Sequence, residues 1–305
     1  MTDEPDLGAP IETTLPAEVL AVVTEVFDCP AEHIFDVALS KKGMTNRSYF
    51  FTCRGKKYLA RIPGEGTDKL IDRHKEYAVY QAIEPLHLSD DVVFFDPETG
   101  YKITCFLEGS RVCDPLSSID VSACMQMLRR FHECHLEVAH TFDIFEQIEF
   151  YESLWGVQSS VYDDYAHTKA KVLTLKDALD ATDHDWTLTH IDAVPDNFLF
   201  CADGTMRLID WEYAGMQDPH VDIAMFAIYS LYNHDQIDAL IDAYFFEGCT
   251  SAVRYKIYGY IASCGLLWSN WCEYKRQLGV DFGDYARAQY RYAQEYSDRF
   301  NEQNG

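Results

Sequence analysis

Hydrophobic and polar positions along this chain follow two different periods. Apolar residues at helical spacing predict a first helix over residues 16–27. From Phe35, short apolar runs bounded by turn-forming segments predict an antiparallel group of strands over residues 35–40, 48–53 and 57–63. A helix is predicted over residues 67–83, and two further strands over residues 91–95 and 101–107.

The strand pattern nearly stops after residue 108. Helical spacing then predicts helices over residues 117–138, 151–179, 221–246 and 252–278. One hairpin interrupts them, because apolar runs flank Asp203 and Gly204, and Asp-Gly is a strong short hairpin signal. We therefore expect a small β-rich lobe over residues 1–108 and a larger, mainly helical lobe over residues 109–305.

The chain is strongly acidic. Its 305 residues include 25 Lys and Arg against 50 Asp and Glu, a formal net charge of −25. Such a surface repels phosphate backbones and anionic headgroups, so nucleic acid and membranes are not expected partners, whereas a small cation is attracted. The 48% hydrophobic and 14% aromatic content is that of a folded chain rather than a disordered one.

The ten cysteines do not form a disulfide or metal pattern. They contain no Cys-x-x-Cys pair, and several lie inside apolar runs. The first residues are acidic and unlike a secretory signal, and no apolar stretch is long enough to span a membrane. These features predict reduced thiols in a cytoplasmic protein.

One group of polar residues near the middle of the sequence has the pattern of a catalytic site. His190, Asp192 and Asn197 have the spacing of a protein-kinase catalytic loop, and Asp210 follows across the predicted hairpin. Phosphoryl transfer needs one carboxylate to orient the attacking hydroxyl and oxygen ligands to hold Mg²⁺ against the phosphates. We assign Asp192 as catalytic base or hydroxyl orienter, Asn197 and Asp210 as magnesium ligands, and His190 as a hydrogen-bonding support of the loop.

A kinase also needs a cation on a central strand and a helix carboxylate that holds it. Arg61 on the third predicted strand and Glu76 on the following helix fit these roles. Arg in place of Lys departs from the protein-kinase pattern, although its fork suits a phosphate. Two alternatives stay open: Arg61 is a solvated strand charge, or Asp72 replaces Glu76.

Two further segments are candidate nucleotide contacts. The turn that precedes the second strand lacks a GxGxxG pattern, but Thr45 and Asn46 could donate hydrogen bonds to phosphate. The strand that ends near Leu107 would meet the adenine through backbone groups, at Cys105 and Leu107.

Several short motifs together resemble the bacterial choline/ethanolamine kinase branch of the aminoglycoside-phosphotransferase-like kinases. They are GMTN at 43–46, YLAR at 58–61, LIDR at 70–73, the catalytic loop with Pro195, LIDWEY at 208–213 and DFGDY at 281–285. The resemblance covers about residues 40–290. It implies an α+β, bilobal protein-kinase-like fold, ATP and Mg²⁺, and a small hydroxyl-bearing acceptor.

The resemblance also implies where a quaternary ammonium would bind. In this family late-helix aromatics enclose the headgroup, and aromatic faces attract a cation that has no donor hydrogen. The matching segment contains Trp268, Trp271 and Tyr274, and Tyr285 follows it. Tyr229 and Tyr232 are possible additional walls, and Glu212 faces the cation or lies behind the metal ligands. The alternative is that Trp268 and Trp271, on one helix face, are core.

His132 and His135 form a His-x-x-His pair, but no further ligand has matching spacing. We therefore expect a helix that packs behind the catalytic loop rather than a zinc site.

These features predict an ATP- and magnesium-dependent choline kinase. Ethanolamine, thiamine or an aminoglycoside is the alternative acceptor, and a non-catalytic binding protein on a kinase fold is a third possibility that the complete motif disfavours. No oligomeric state is predicted.

Overall fold

A computed structural model describes residues 11–12, 14–40, 46–64, 67 and 70–304. The chain divides into two compact units. The first unit comprises Met1–Cys113 and Asp196–Tyr213, and the second unit comprises Asp114–Pro195 and Ala214–Gly305. The lobe limits 1–108 and 109–305 stay a prediction.

The first unit contains a six-stranded antiparallel sheet with the order β1-β2-β3-β4-β6-β5. Its strands are β1 (Ile11–Glu12), β2 (Ile34–Leu39), β3 (Asn46–Cys53), β4 (Lys56–Pro63), β5 (Val92–Phe95) and β6 (Lys102–Cys105). Two helices accompany the sheet, α1 (Ala17–Val26) and α2 (Arg73–Ile83). The predicted antiparallel strands are confirmed.

The hairpin between β3 and β4 determines which side chains enter the core. Arg54 and Gly55 form its two-residue turn, with φ of +51° and +74°, the left-handed conformations that a tight hairpin turn requires. Side chains then alternate along each strand. Alternate residues of β4, from Tyr58 to Ile62, pack in the core that includes α1. Arg61 therefore points to the opposite face of the sheet.

Helix α2 begins at Arg73, not at residue 67. Asp72 caps it, because its carboxylate accepts the backbone N–H groups of His74 and Lys75 at 3.0 and 3.2 Å. Thr67 instead belongs to a turn and accepts the N–H of Leu70 at 2.9 Å. The cap fixes the first helical turn, on which Arg73 and Glu76 lie.

A second, three-stranded sheet of the first unit carries the predicted hairpin. Its strands are β7 (Arg111–Val112), β9 (Phe198–Phe200) and β10 (Met206–Leu208), in the order β10-β9-β7. Gly204 has a φ of +84° in the loop that joins β9 to β10, which explains the glycine after Asp203. The hairpin prediction is confirmed.

The second unit is mainly helical. Its helices are α3 (Ser118–His132), α4 (Ile144–Ser153), α5 (Tyr165–Asp180), α6 (His220–Tyr229), α7 (His234–Tyr244), α8 (Ser251–Gln277) and α9 (Asp284–Asn304). A short antiparallel pair, β8 (Thr187–Thr189) and β11 (Gly215–Gln217), lies among them. A β-rich first unit and a mainly helical second unit confirm the predicted α+β kinase-like fold.

Two predicted helices are each broken in the structure. The helix expected over 221–246 ends at Tyr229, and Asn233 starts α7 with a reciprocal capping box to Gln236. The helix expected over 151–179 is interrupted between Ser153 and Tyr165. The helical spacing of apolar residues continues across both breaks. A prediction from that spacing alone therefore treats the two segments as one helix.

Helices α8 and α9 approach closely at Gly265. A Cβ there would lie 2.8 Å from the backbone oxygen of Gln289 and 2.9 Å from the backbone nitrogen of Ala293. Only glycine permits this approach without a shift of the backbone. The contact holds α9, whose first turn carries Tyr285, against α8.

Among the residues that the structure describes, no helix combines the length and apolar character that a membrane span requires. All ten cysteines lie in this part of the chain and carry free thiols.

Candidate active site

A buried ion pair lies at the centre of the first unit. Both guanidinium Nη atoms of Arg61 contact the carboxylate of Glu76, Nη1 at 2.6 Å from Oε1 and Nη2 at 2.8 Å from Oε2. Arg61 and Glu76 are 6% and 1% exposed. The predicted partnership between strand cation and helix carboxylate is therefore observed, and neither a solvated Arg61 nor Asp72 as the partner fits the geometry.

Further charges extend this pair into a network. The Nη1 atom of Arg73 donates to Glu76 at 2.7 Å and to Glu212 at 3.0 Å. Lys102 Nζ donates to Glu76 Oε1 at 3.2 Å. Glu76 thus receives hydrogen bonds from three cations, which compensates for the burial of its charge.

Asn46 and Glu212, two predicted ligand contacts, both belong to this network. The Asn46 side chain donates to Glu212 Oε2 at 2.8 Å and accepts from Arg73 Nη2 at 2.9 Å. The Glu212 side chain is 2% exposed. Their roles toward phosphate and acceptor stay predictions, and Thr45 lies outside the described residues.

The charges of this network shift the pKa values of Glu76, Arg61 and the nearby Asp210. Burial would raise the pKa of Glu76, but Arg61 and Lys102 outweigh it and hold that pKa well below its ordinary value. Burial would lower the pKa of Arg61, but the Glu76 carboxylate outweighs this effect and raises that pKa above its ordinary value. For Asp210, partial desolvation and the Glu212 carboxylate raise the pKa to about 7, although the side chain is still 40% exposed and Arg61 Nη1 lies 3.9 Å from its Oδ1.

The hairpin brings the two predicted magnesium ligands together. The backbone N–H of Ile209, next to Asp210, donates to the carbonyl of Asn197 at 3.0 Å. Asp210 has a φ of +67°, a conformation that Asp tolerates better than most residues. Its side chain is 40% exposed, so the carboxylate is open to a ligand.

In the second unit, Asp222 holds the catalytic loop. Its carboxylate accepts the backbone N–H groups of His190 at 3.0 Å and Ile191 at 2.7 Å. Ile191 has a φ of +71°, which is strained for a β-branched residue. His132 contacts Asp222 through Nε2 at 2.9 Å and the Tyr244 hydroxyl through Nδ1 at 2.8 Å. The expectation that α3 packs behind this loop is confirmed.

The predicted acceptor aromatics of the second unit form a connected group. Ring centroids lie 5.5 Å apart for Trp268 and Trp271, 5.1 Å for Trp271 and Phe282, and 5.8 Å for Tyr229 and Tyr285. Phe282 joins the two halves, 6.3 Å from Tyr285. We call Trp268, Trp271, Phe282, Tyr285 and Tyr229 the aromatic group.

The group and the predicted catalytic carboxylate, Asp192, both belong to the second unit. Burial raises the pKa of the Tyr285 hydroxyl well above its ordinary value, and the charges of Cys272 and Asp192 raise it further.

Trp268 and Trp271 also contribute to packing. They are 6% and 2% exposed, and Trp268 Nε1 donates to Met225 Sδ at 2.9 Å. Lys275 Nζ already lies 5.3 Å from the centroid of the Trp271 ring. Tyr232 packs near Phe226 and donates its hydroxyl hydrogen to the carbonyl of Pro115.

The predicted hinge residues lie at the end of β6 and just after it. Cys105 is the last residue of that strand, and its N–H donates to the carbonyl of Asp91 at 2.9 Å. The carbonyl of Leu107 accepts the N–H of Ser110 at 3.3 Å.

Residues 36–258 match the phosphotransferase enzyme family of the aminoglycoside-phosphotransferase type. The chain belongs to this family. Protein LicA of Haemophilus influenzae is 27% identical over 281 residues, covering 86% of this chain and 80% of that protein.

Solved structures resemble this phosphotransferase over nearly its whole length. Choline kinase LicA from Streptococcus pneumoniae is 28% identical, with a TM-score of 0.80 over 93% of this chain and 100% of that one. A LicA structure in complex with AMP is 27% identical, with a TM-score of 0.78 over 94% of this chain and 100% of that one. A choline/ethanolamine kinase family protein from Mesorhizobium loti, 22% identical with a TM-score of 0.76 over 93% and 97%, shares the fold.

Four residues that contact predicted site residues of their own unit escaped the sequence prediction. They are Arg73, Lys102, Asp222 and Phe282. Arg73 and Phe282 lie in the LIDR and DFGDY motifs, which were noted without a role for either residue. Lys102 and Asp222 lie outside these motifs. Their hydrogen-bond partners, Glu76 and His190, are 26 and 32 positions away in the sequence.

The residues present fit a magnesium ion. Asn197 and Asp210 offer an amide and a carboxylate oxygen, and the Asp210 side chain is 40% exposed. Mg²⁺ usually takes few protein ligands and fills its shell with phosphate and water oxygens. Among the described residues, no group of three or more His, Cys, Asp or Glu side chains could hold a metal.

Proposed function

We propose that this phosphotransferase is a choline kinase, which transfers the γ-phosphoryl group of ATP to the hydroxyl of choline and releases phosphocholine and ADP. The observation that carries the proposal is the connected aromatic group of the second unit, the unit that also contains Asp192. A hydroxyl acceptor with a permanent positive charge needs these two features, a carboxylate for the hydroxyl and aromatic faces for the cation.

The choline-kinase name of a 28% identical solved protein supports the same acceptor, and the AMP complex of another supports an adenine nucleotide as donor. The net charge of −25 also favours a cationic substrate over an anionic one.

Each predicted residue would then have a defined part in the reaction. The Asp192 carboxylate would accept a hydrogen bond from the choline hydroxyl and orient it for attack. The hydroxyl proton would pass to the Asp192 carboxylate as the new P–O bond forms and the bond to the ADP oxygen breaks. Asp222 would keep the loop rigid through the backbone of His190 and Ile191. Catalysis would be mainly positioning.

Phosphate binding would depend on the first unit. Arg61, held by Glu76, would present its guanidinium to the phosphates, with Thr45 and Asn46 as further donors. Asn197 and Asp210 would hold Mg²⁺. The ion, when bound, would neutralise charge that develops on the transferring phosphoryl group. Cys105 and Leu107 would flank the adenine, and Glu212 would connect the phosphate side to Arg73.

An acceptor screen tests the proposal. ADP release is coupled to NADH oxidation, and choline, ethanolamine, thiamine and kanamycin are compared at equal concentrations. We expect choline to give the highest kcat/KM. A primary ammonium prefers carboxylate partners, so ethanolamine should be poorer. A higher kcat/KM for ethanolamine, thiamine or kanamycin would show that choline is not the preferred acceptor. If no compound stimulates ADP release, the kinase assignment is wrong.

A further inference from the structure

Arg73, the first residue of α2, bonds to three side chains of the first unit through one guanidinium. Its Nη1 atom donates to Glu76 at 2.7 Å and to Glu212 at 3.0 Å, and its Nη2 atom donates to Asn46 Oδ1 at 2.9 Å. Arg73 itself is 8% exposed. These contacts join α2 to the start of β3 and to the segment that follows Asp210.

The three bonds need the shape of an arginine side chain. The two carboxylates use both hydrogens of Nη1, and the bond to Asn46 is made by the second nitrogen, Nη2. A guanidinium presents these donors in one plane at fixed angles, whereas a lysine ammonium is a single point charge on a flexible stem. Arg73→Lys should therefore keep the charge but lose the bond to Asn46.

Arg73 also packs tightly against the turn between β5 and β6. A Cβ at Gly100 would lie 3.0 Å from Arg73 Cγ and 2.7 Å from Pro63 Cγ. Gly100 has a φ of +71°, a conformation that favours glycine. The stem of Arg73 is thus held by packing and its guanidinium by hydrogen bonds, so the side chain has a defined position.

Two residues assigned to the nucleotide phosphates depend on that position. Asn46 also donates to Glu212 at 2.8 Å, so Arg73, Asn46 and Glu212 form a closed ring of hydrogen bonds. Arg61 shares Glu76 Oε2 with Arg73, at 2.8 and 2.7 Å. Arg61 Nη1 lies 3.6 Å from Glu212 Oε2. Without Arg73, this buried carboxylate would draw the Arg61 guanidinium toward itself.

We propose that Arg73 is a positioning residue for the phosphates of the nucleotide. It holds the Asn46 amide and the Arg61 guanidinium in the places from which they bind phosphate, and it does not bind phosphate itself. The inference rests on the proposed ATP site but not on the identity of the acceptor. Loss of Arg73 weakens binding of the triphosphate and leaves binding of adenine and ribose unchanged.

Isothermal titration calorimetry on the full chain, with Mg²⁺ and no acceptor, separates these two contributions. Arg73→Lys should raise the Kd of the non-hydrolysable ATP analogue AMPPNP about ten-fold, because a charged hydrogen bond that orients Asn46 is lost. The Kd of adenosine should not change. Arg54→Lys is the matched control, an exposed arginine of the same unit that bonds to the backbone carbonyls of Phe27 and Asp28, and should leave both Kd values unchanged.

A double-mutant cycle tests whether Arg73 acts through Asn46. The single variants Arg73→Lys and Asn46→Ala are compared with the double variant. The Kd of the double variant for AMPPNP should rise by less than the product of the two single fold-changes. Effects that multiply in full would contradict the proposed route.

A crystal structure of the wild-type chain with AMPPNP and Mg²⁺ needs no variant. It should show Arg73 still bonded to Asn46 and beyond hydrogen-bond distance of every phosphate oxygen. A bond from Arg73 to phosphate would overturn the inference, as would equal AMPPNP binding by wild type and Arg73→Lys or an equal rise in the Kd of adenosine. Failure of the wild-type chain to bind AMPPNP would instead refute the proposed function, and this inference with it.

Discussion

Asp222 should be the residue whose loss most directly disturbs the catalytic loop. Its carboxylate accepts two backbone donors, from His190 at 3.0 Å and from Ile191 at 2.7 Å, and contacts the His132 imidazole at 2.9 Å. Asp222→Asn keeps the size of the side chain but replaces one oxygen by an NH₂ group. One of the backbone N–H groups must then face another donor.

The cost follows from the bonds that are lost. A hydrogen bond to a charged group contributes about 1.5–3 kcal/mol, and an unsatisfied buried donor has a similar cost. Asn can keep one backbone bond, so we expect the free energy of unfolding to fall by about 3 kcal/mol. Ile191, with a φ of +71°, can relieve strain of about 1–3 kcal/mol once it is released. The loop should therefore shift, and a displacement of about 1 Å can lower kcat about 100-fold.

Two measurements check these values. Urea denaturation gives the free energy of unfolding, and the coupled ADP-release assay gives kcat and KM for choline. Asp235→Asn is the control, because it removes the same charge from an exposed position on α7 of the same unit. Wild-type kcat in Asp222→Asn would refute the idea that this carboxylate positions the loop, and unchanged stability would refute the hydrogen-bond argument itself.

Three other changes probe the remaining parts of the site. Trp271→Ala should raise the choline KM about 30-fold, because about 2 kcal/mol of cation–π attraction is lost. Trp186→Ala, at an exposed position, is the control. An unchanged choline KM in Trp271→Ala would mean that Trp271 serves only in core packing. For Glu76 the folded pKa is lowered, because Arg61 outweighs burial. Its stabilisation is complete above the unfolded pKa of about 4.3 and is lost as pH falls below it, so the denaturation difference between wild type and Glu76→Gln should shrink in acid. A pH-independent difference would contradict this. Asp210→Asn should raise the Mg²⁺ concentration for half-maximal activity about ten-fold or more without changing choline KM, and an unchanged Mg²⁺ titration would exclude Asp210 as a ligand.

Local sequence signals predicted the parts of the fold that depend on neighbouring residues. The β3–β4 hairpin follows from the turn at Arg54 and Gly55, and the β9–β10 hairpin from Asp203 and Gly204. Both turns contain a residue in the left-handed conformation that glycine favours. The break before α7 was missed although Asn233 supplies a capping signal, because the apolar spacing continues across it.

The polar parts of the site were harder to predict because their partners are distant in the chain. Arg73 meets Glu212 across 139 positions. Sequence spacing indicates the catalytic loop, but nothing in that spacing shows that Asp222 holds its backbone. The partnership of Arg61 with Glu76 was predictable because a kinase requires a cation and a carboxylate at these places.

Identification of the product tests the choline-kinase proposal most directly. ³¹P NMR of a reaction with ATP, Mg²⁺ and choline should show a phosphomonoester signal that coincides with added phosphocholine and grows in step with ADP. The Asp192→Asn variant should form it at a small fraction of the wild-type rate. Release of inorganic phosphate alone, or no choline-dependent signal from the wild-type chain, would contradict the assignment.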